Sequence, residues 1–225
     1  MIYPDILKPY DGIVAFFTDR TEGIAPSRIA TLWGMGEGDI LFLKQEHTDR
    51  IIIVDDKGFT EPLKADGAIT EERGVLLSVK VADCVPILMY DPQKNIVAAV
   101  HAGWRGTARG IIINAIGLFK DRYNSSPEDI LIAMGPSIRW CCYEVDDRVL
   151  SLVRERTGEG EFYIIRNGKT CLDLPSANMY QAISEGVPGE NIWISGDCTF
   201  CYPERYFSYR YNGTRERQGG FIGLR

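Results

Sequence analysis

The chain has 225 residues, of which 45% are hydrophobic and 25% charged, and its 25 Lys and Arg against 31 Asp and Glu give a formal net charge of −6. This balance argues against a protein that binds duplex nucleic acid or an anionic membrane, because either would need a basic face. The apolar content excludes a disordered chain.

Short β-like runs, rich in β-branched and aromatic residues, dominate the chain. The predicted strands are 12–18, 39–44, 51–54, 74–82, 85–90, 96–101, 130–134, 162–166, 192–195 and 206–211. The predicted helices are 105–123, 145–156 and 176–185, and the Gly- and Pro-containing segment 22–38 is interpreted as an ordered or lid-like loop. Because helices do not alternate strictly with strands, we expect a mixed α/β (α+β) fold rather than a Rossmann or TIM arrangement.

The sequence lacks the features of a membrane or secreted protein. No run approaches the roughly 20 apolar residues of a membrane helix, and the N-terminal residues do not resemble a secretory signal. We therefore expect a cytoplasmic protein whose six cysteines stay reduced. Only two histidines are present, His47 and His101, so any imidazole chemistry must involve one or both.

The segment 44–49, KQEHTD, ends a predicted strand in a polar cluster around His47. The segment 82–86, ADCVP, places Cys84 near a bend, because Pro86 cannot donate to a β-ladder and bulges recur beside active sites. Taken singly, His47 is more often a surface imidazole and Cys84 a small buried apolar residue.

The segment 97–106, VAAVHAGWRG, leads a buried strand into His101, a Gly-containing turn and the clearest helix. Such a turn offers free N–H groups to an anion, although its glycine spacing is not a dinucleotide fingerprint. The alternative is a packed turn with Trp104 in the core and His101 bonded to the backbone.

The combination of His47, Cys84 and His101, each at the end of a strand, suits an open zinc site with three protein ligands. No two of them share a local ligand motif, so the prediction depends on all three together. Carboxylates near these residues would orient the imidazoles or act as general acids and bases; they are Asp49, Asp66 and Asp83.

Four further cysteines lie later in the chain. The segment 198–201, CTFC, is a C-x-x-C pair, and Cys141 and Cys142 precede it. Because a second C-x-x-C is missing and adjacent cysteines are poor chelate partners, we expect structural thiols rather than a four-cysteine zinc site.

The C-terminal region is basic and polar. Alternation in the predicted strand 206–211 places Ser208 and Arg210 on one face, where they could hold an anion together with Arg217. The alternative is a solvated edge strand with ordinary surface charges.

On these residues, the chain resembles the bacterial laccase-domain proteins, once described as multicopper polyphenol oxidases and now regarded as purine nucleoside phosphorylases of broad specificity. Ordered matches run through nearly the whole chain: 19–20 (DR), 45–47 (QEH), 65–70 (ADGAIT), 82–86 (ADCVP), 101–106 (HAGWRG), 135–138 (GPSI), 142–145 (CYEV), 198–199 (CT) and 207–210 (FSYR). The chain departs from the family at 216–218, which is ERQ instead of GRQ, and at 31–32, which is TL instead of NL.

The resemblance implies one zinc ion, carried over onto His47, Cys84 and His101. It implies phosphorolysis of adenosine, inosine, guanosine and methylthioadenosine, and hydrolytic deamination of adenosine. It also implies a single domain over residues 1–225 with layered α/β/β/α build, a fold similar to that of the cytotoxic-necrotizing-factor deamidases.

The implied reaction assigns candidate roles to further residues. Phosphate needs cationic and polar donors, for which the candidates are Arg20, Arg105, Ser208, Arg210 and Arg217. The leaving purine needs a proton, for which the candidates are Asp66 and Asp83. The expected partners are purine nucleosides and phosphate, with neither nucleic acid nor a membrane among them.

Three alternatives stay open. A multicopper oxidase would need more than two histidines, but a single copper site that oxidises phenols, with Met89 as axial ligand, is chemically allowed. A thiol hydrolase or deamidase would use Cys84 as nucleophile and His101 as base. A non-catalytic binding module would be stabilised by its ligand without turnover.

Overall fold

The computed structural model describes residues 1–34, 36–56 and 63–225. Its strands are β1 (Ile13–Phe17), β2 (Ile40–Phe42), β3 (Ile51–Ile53), β4 (Gly67–Thr70), β5 (Leu76–Val81), β6 (Val85–Asp91), β7 (Ile96–Ala102), β8 (Leu131–Met134), β9 (Glu144–Val145), β10 (Tyr163–Arg166), β11 (Lys169–Leu172), β12 (Ile192–Ile194) and β13 (Gln218–Leu224). Its helices are α1 (Pro26–Trp33), α2 (Trp104–Arg109), α3 (Ile111–Tyr123), α4 (Asp147–Thr157), α5 (Leu174–Ser184) and α6 (Tyr209–Asn212).

Three sheets organise these strands. A four-stranded sheet has the order β1-β13-β5-β2, a six-stranded sheet has the order β12-β8-β6-β7-β4-β3, and a small sheet has the order β10-β11-β9. Both large sheets mix parallel and antiparallel pairs, since β2 runs parallel to β5 and β3 runs parallel to β4.

Alternation along the strands sends side chains to opposite faces of each large sheet and so builds four layers. Between the sheets, Leu77 and Val79 of β5 pack with Leu88 of β6. The other face of the six-stranded sheet is covered by α3, α4 and α5, and the outer face of the four-stranded sheet is covered by α1. This confirms the predicted mixed α/β class with helices outside two stacked sheets.

The structure corrects the prediction of one helix over 105–123. Gly110 adopts φ 79, a left-handed conformation, and ends α2 before α3 begins. The segment 22–38, predicted as a loop, contains α1, which starts with Pro26 at its first turn. Its apolar residues Ile29 and Trp33 are one helical turn apart and cover the four-stranded sheet.

The predicted strand 206–211 is also wrong. Ser208 accepts a hydrogen bond at its side chain from the backbone of Tyr211 and caps the short helix α6 instead. None of the helices in the described ranges has both the length and the apolar character needed to cross a membrane.

Candidate metal centre

Three side chains converge at the ends of strands. His47 follows β2, Cys84 precedes β6 and His101 lies in β7. One ligand atom of each lies within 4.8 Å of the others. The pairing of β6 with β7 places Pro86 opposite His101 and so brings Cys84 beside that imidazole. The rings of His47 and His101 meet edge to face, with centroids 4.9 Å apart.

Asp66 is a fully buried carboxylate that positions both histidines. It lies 2.8 Å from Nδ1 of His101. It also accepts hydrogen bonds from the backbone of Glu46, His47 and Thr48, and from the Thr48 hydroxyl. Burial would raise the pKa of Asp66, but the hydrogen bonds from His101 and Thr48 lower it below its usual range. A single anion therefore sets the orientation of one ligand and the backbone of another.

The backbone is unusual at two positions beside the cluster. Among the described residues, five residues other than glycine have a positive φ. Three of them are asparagines, and the other two are His47 (φ 57) and Asp83 (φ 89). His47 is held by its hydrogen bond to Asp66. Asp83 accepts from Thr199 Oγ1 at 2.6 Å and from the backbone of Arg210 at 2.7 Å. Such conformations persist where neighbouring contacts enforce them, and they gather at functional sites.

The donor set fits a tetrahedral ion with one open position. Zinc takes nitrogen at about 2.0–2.1 Å and sulfur at about 2.3 Å, and its catalytic sites have three protein ligands. Because Asp66 engages Nδ1 of His101, Nε2 remains to face an ion. His47 is exposed while His101 is buried, so the set is anchored on one side and open to solvent on the other.

The charges within the cluster depend on one another. Burial opposes the Cys84 thiolate, yet His101 and His47 lower the pKa of the Cys84 thiol. Burial also opposes an imidazolium, yet Cys84 and Asp66 raise the pKa of His101. A Cys84 thiolate suits either of two roles, a metal ligand beside neutral imidazoles or a nucleophile beside an imidazolium.

Gly103 allows the close approach of the ligands. A Cβ at this position would lie 3.0 Å from Sγ of Cys84 and 3.3 Å from Cδ2 of His47. Its φ of −80 and ψ of 174 suit any residue, so the requirement is for space rather than for backbone freedom.

We expect Gly103→Ala to lower the zinc affinity of the cluster about 10-fold, because the methyl group displaces two ligands. The measurement is competition for zinc with a chromophoric chelator. The matched control is Gly117→Ala in α3, where a Cβ would meet nothing within 4 Å. Equal zinc affinity in Gly103→Ala and Gly117→Ala would contradict the steric argument.

A cavity of about 670 Å³ opens over the three side chains, within the range of roughly 300–1,000 Å³ typical of small-molecule sites. Among the residues that the structure describes, five cationic side chains line it, although the whole chain is acidic: Lys44, Lys80, Arg210, Arg215 and Arg217. Burial lowers the pKa of Lys80, and the positive charge of Arg217 lowers it further. The cavity is therefore suited to an anionic ligand beside the cluster.

The residues predicted for acid–base chemistry separate into two groups. Asp83 lines the cavity, whereas Asp66 lies behind His101, with both carboxylate oxygens in hydrogen bonds. Asp49 accepts from Asn114 and orients neither imidazole.

Of the residues predicted to bind phosphate, some line the cavity and others do not. Arg210 and Arg217 line the cavity. Arg20 lines an adjoining depression of about 530 Å³, which shares Lys80 and Arg217 with the cavity. Arg105 is exposed and lies over the ring of Trp104, and Ser208 is buried as the cap of α6.

Sequence reasoning missed Lys80 and Tyr143 as cavity residues. Lys80 is the one charged residue in β5, whose other residues are four aliphatic side chains and a serine, and this was the available signal. Tyr143 lies in the matched segment 142–145, but that match does not place its ring in the cavity, which depends on the fold of the loop after β8. Its ring lies 5.1 Å from the Arg210 guanidinium.

The family described as multi-copper polyphenol oxidoreductase laccase matches residues 17–225. A protein of Geobacillus stearothermophilus named purine nucleoside phosphorylase YlmD is 43% identical over 164 residues, which are 71% of this chain and 60% of that protein. The match thus spans less than two thirds of that relative's length.

Two further likenesses cover more of both chains. A protein of an unknown prokaryotic organism named adenosine deaminase RL5 is 34% identical over 196 residues, which are 82% of this chain and 74% of that protein. The crystal structure of YlmD from Geobacillus stearothermophilus has a TM-score of 0.90 at 34% identity, and the match covers 96% of this chain and 93% of that one. The laccase-domain fold implied by the sequence is thereby confirmed.

Proposed function

The chain belongs to the family described as multi-copper polyphenol oxidoreductase laccase, and on that premise we propose that it is a zinc-dependent purine nucleoside phosphorylase that also deaminates adenosine. The observation that carries the proposal is the convergence of two imidazoles and a thiol beside a cationic cavity. The names of two relatives, a purine nucleoside phosphorylase and an adenosine deaminase, support the choice of substrate class. We propose that residues 1–225 act as one domain and that the protein works in the cytoplasm.

The proposed substrates are adenosine, inosine, guanosine and methylthioadenosine, together with phosphate. All four nucleosides share a purine joined to a ribose, and a cavity of about 670 Å³ is large enough for one of them beside a phosphate ion. The aromatic ring of Tyr143 in the cavity wall offers a surface for the purine.

His47, Cys84 and His101 would hold the zinc ion, and Asp66 would keep the two imidazoles in place. When bound, zinc supplies a Lewis acid that lowers the pKa of a water molecule towards neutrality. In deamination, an oxygen from water attacks C6 of adenosine and ammonia leaves, so the cavity must hold the purine edge close to this cluster.

Phosphorolysis requires a bound phosphate and a proton for the leaving purine. The bond between the ribose C1′ and the purine nitrogen breaks, an oxygen of phosphate bonds to C1′, and the purine leaves with a proton. Lys80, Arg210 and Arg217 are the donors proposed for phosphate, because they line the cavity. Asp83 is the carboxyl group proposed to move the proton, because it lines the same cavity whereas Asp66 does not.

The test is to purify the protein, measure bound metals by mass spectrometry and assay it with inosine plus phosphate and with adenosine. We expect zinc, formation of hypoxanthine and ribose 1-phosphate from inosine, and ammonia from adenosine. A strong chelator is expected to reduce both activities about 100-fold or more, and added zinc to restore them. Undiminished activity in protein shown to be free of metal would refute the zinc role.

A thiol hydrolase or deamidase is the second candidate, and one observation favours it. A nitrogen of His101 lies within 4.8 Å of the Cys84 sulfur, which is the arrangement of a cysteine nucleophile and its base. Copper-dependent phenol oxidation has weaker support, since two histidines in the whole sequence cannot furnish a multicopper centre.

A further inference from the structure

A second group of thiols lies outside the cavity. Cys141 and Cys142 follow β8, and Cys198 and Cys201 follow β12. Although the sequence spacing argued against a shared site, the four sulfurs lie within 4.8 Å of one another. Sγ of Cys201 is 3.5 Å from Sγ of Cys141 and 3.3 Å from Sγ of Cys142. The cluster therefore forms because the fold brings two loops, each with a pair of cysteines, next to each other.

The separations suit a single tetrahedral ion. Four sulfurs about 2.3 Å from a zinc ion are about 3.8 Å from one another, and the distances of 3.3 and 3.5 Å and the limit of 4.8 Å bracket that value. A disulfide would need about 2.0 Å. An iron–sulfur cluster places irons and inorganic sulfides between its cysteines, which spreads the sulfurs further apart than they are here.

We propose that Cys141, Cys142, Cys198 and Cys201 bind one zinc ion in a closed four-sulfur site. Binding would form four zinc–sulfur bonds and release the thiol protons to water. With all four positions occupied by the protein, the ion has no place for a substrate, so its role is structural.

Backbone hydrogen bonds hold the two loops in the conformation that brings the thiols together. The carbonyl of Arg139 accepts hydrogen bonds from the backbone of Cys142 and Tyr143, at 2.9 and 3.0 Å, and these bonds form the turn that directs two adjacent cysteines to one side. A β-bridge between Ser137 and Cys198 joins the two loops directly beside the thiols. Adjacent cysteines are poor partners in an extended chain, but this turn removes that objection.

The proposed ion would also stabilise two walls of the cavity. The first loop continues from Cys142 into Tyr143, which lines the cavity. The second continues from Cys198 into Thr199, whose hydroxyl donates to Asp83. A zinc ion between the loops would therefore fix the ring of Tyr143 and the carboxylate of Asp83 relative to each other.

The experiment uses the full chain, reduced, freed of metal by a chelator and then dialysed against zinc alone. We expect about two zinc ions per wild-type chain, one in each cluster. Cys201→Ser, which changes the exposed member, is expected to retain about one, and Cys84→Ala is expected to lose only the other ion. Cys171→Ala, a substitution in the core strand β11 outside both clusters, is the matched control and keeps both ions.

Zinc content that is the same in Cys201→Ser and wild type would overturn the proposal. A zinc content of about one ion per wild-type chain that falls to none in Cys84→Ala would overturn it too, while leaving the proposed function intact. Because Cys201→Ser could fail to fold, a second measurement uses the wild type. Zinc is expected to protect Cys141, Cys142 and Cys201 from iodoacetamide, read by peptide mass spectrometry, and equal labelling with and without zinc, or a disulfide among them, overturns the site.

Discussion

Replacement of Asp66 by alanine is expected to lower the zinc affinity of the cluster about 10- to 100-fold and to destabilise the protein by about 3–5 kcal/mol. The carboxylate is fully buried and is the acceptor for His101, for three backbone N–H groups and for the Thr48 hydroxyl. Alanine removes the acceptor of the buried His101 ring and of the partly buried donors at 46–48, and it frees the His47 loop from its conformation at φ 57.

Two variants sharpen this prediction. Asp66→Asn preserves the side-chain volume, but it replaces one acceptor oxygen with an NH2 group that faces other hydrogen-bond donors. We therefore expect an intermediate loss of both zinc affinity and stability. Asp49→Ala is the matched control, because Asp49 accepts hydrogen bonds from Asn114, which is outside the cluster, and its loss should change neither quantity. Zinc competition and urea unfolding measure the two effects. An Asp66→Ala protein with wild-type zinc affinity would mean that the ligands are held by packing alone.

The central elements of the site were predictable because their signals are local. Pro86 marks the bend beside Cys84, and the step from β7 through Gly103 into α2 is visible as a buried run followed by a turn and a helical pattern. The pairing of β6 with β7 then follows from their adjacency in the chain. The local pattern supplied Asp66 only as one of three carboxylates near the cluster, and the folded chain is needed to place it, rather than Asp49, against His101.

The missed elements are those that long-range packing decides. Strand β13 carries three glycines and so looks like a loop, yet it is central in the four-stranded sheet. At Gly220 a Cβ would come within 3.1 Å of the Phe17 ring, and at Gly223 it would collide with the backbone of Val75. Residues distant in sequence thus leave room only for glycine at these positions, so strand propensities of single residues fail to predict β13. The four cysteines of the second cluster were dismissed for the same reason, since only the folded loops bring them together.

Replacement of Cys84 by serine is expected to reduce phosphorolysis of inosine and deamination of adenosine by about a thousandfold, the scale of loss when one member of an interdependent group is removed. Serine is close in size, but its hydroxyl is a far poorer zinc ligand than a thiolate. Steady-state kinetics and metal analysis on the same preparation check both effects. Cys171→Ala is the control, because it removes a thiol outside both clusters and should keep full activity.

Alkylation of the wild-type protein, with and without zinc, separates the two candidate mechanisms. If Cys84 is a ligand, zinc shields its sulfur from iodoacetamide, and metal-free wild-type protein is both alkylated and inactive. If Cys84 is instead the nucleophile of a thiol hydrolase, the metal-free protein is the active form, zinc inhibits it, and alkylation abolishes turnover. Both mechanisms predict an inactive Cys84→Ser protein, so the order of activity between zinc-loaded and metal-free wild type decides. The open side at His47 and the buried side at His101 are compatible with either chemistry, but only the zinc mechanism requires both imidazoles to face the sulfur, as they do here.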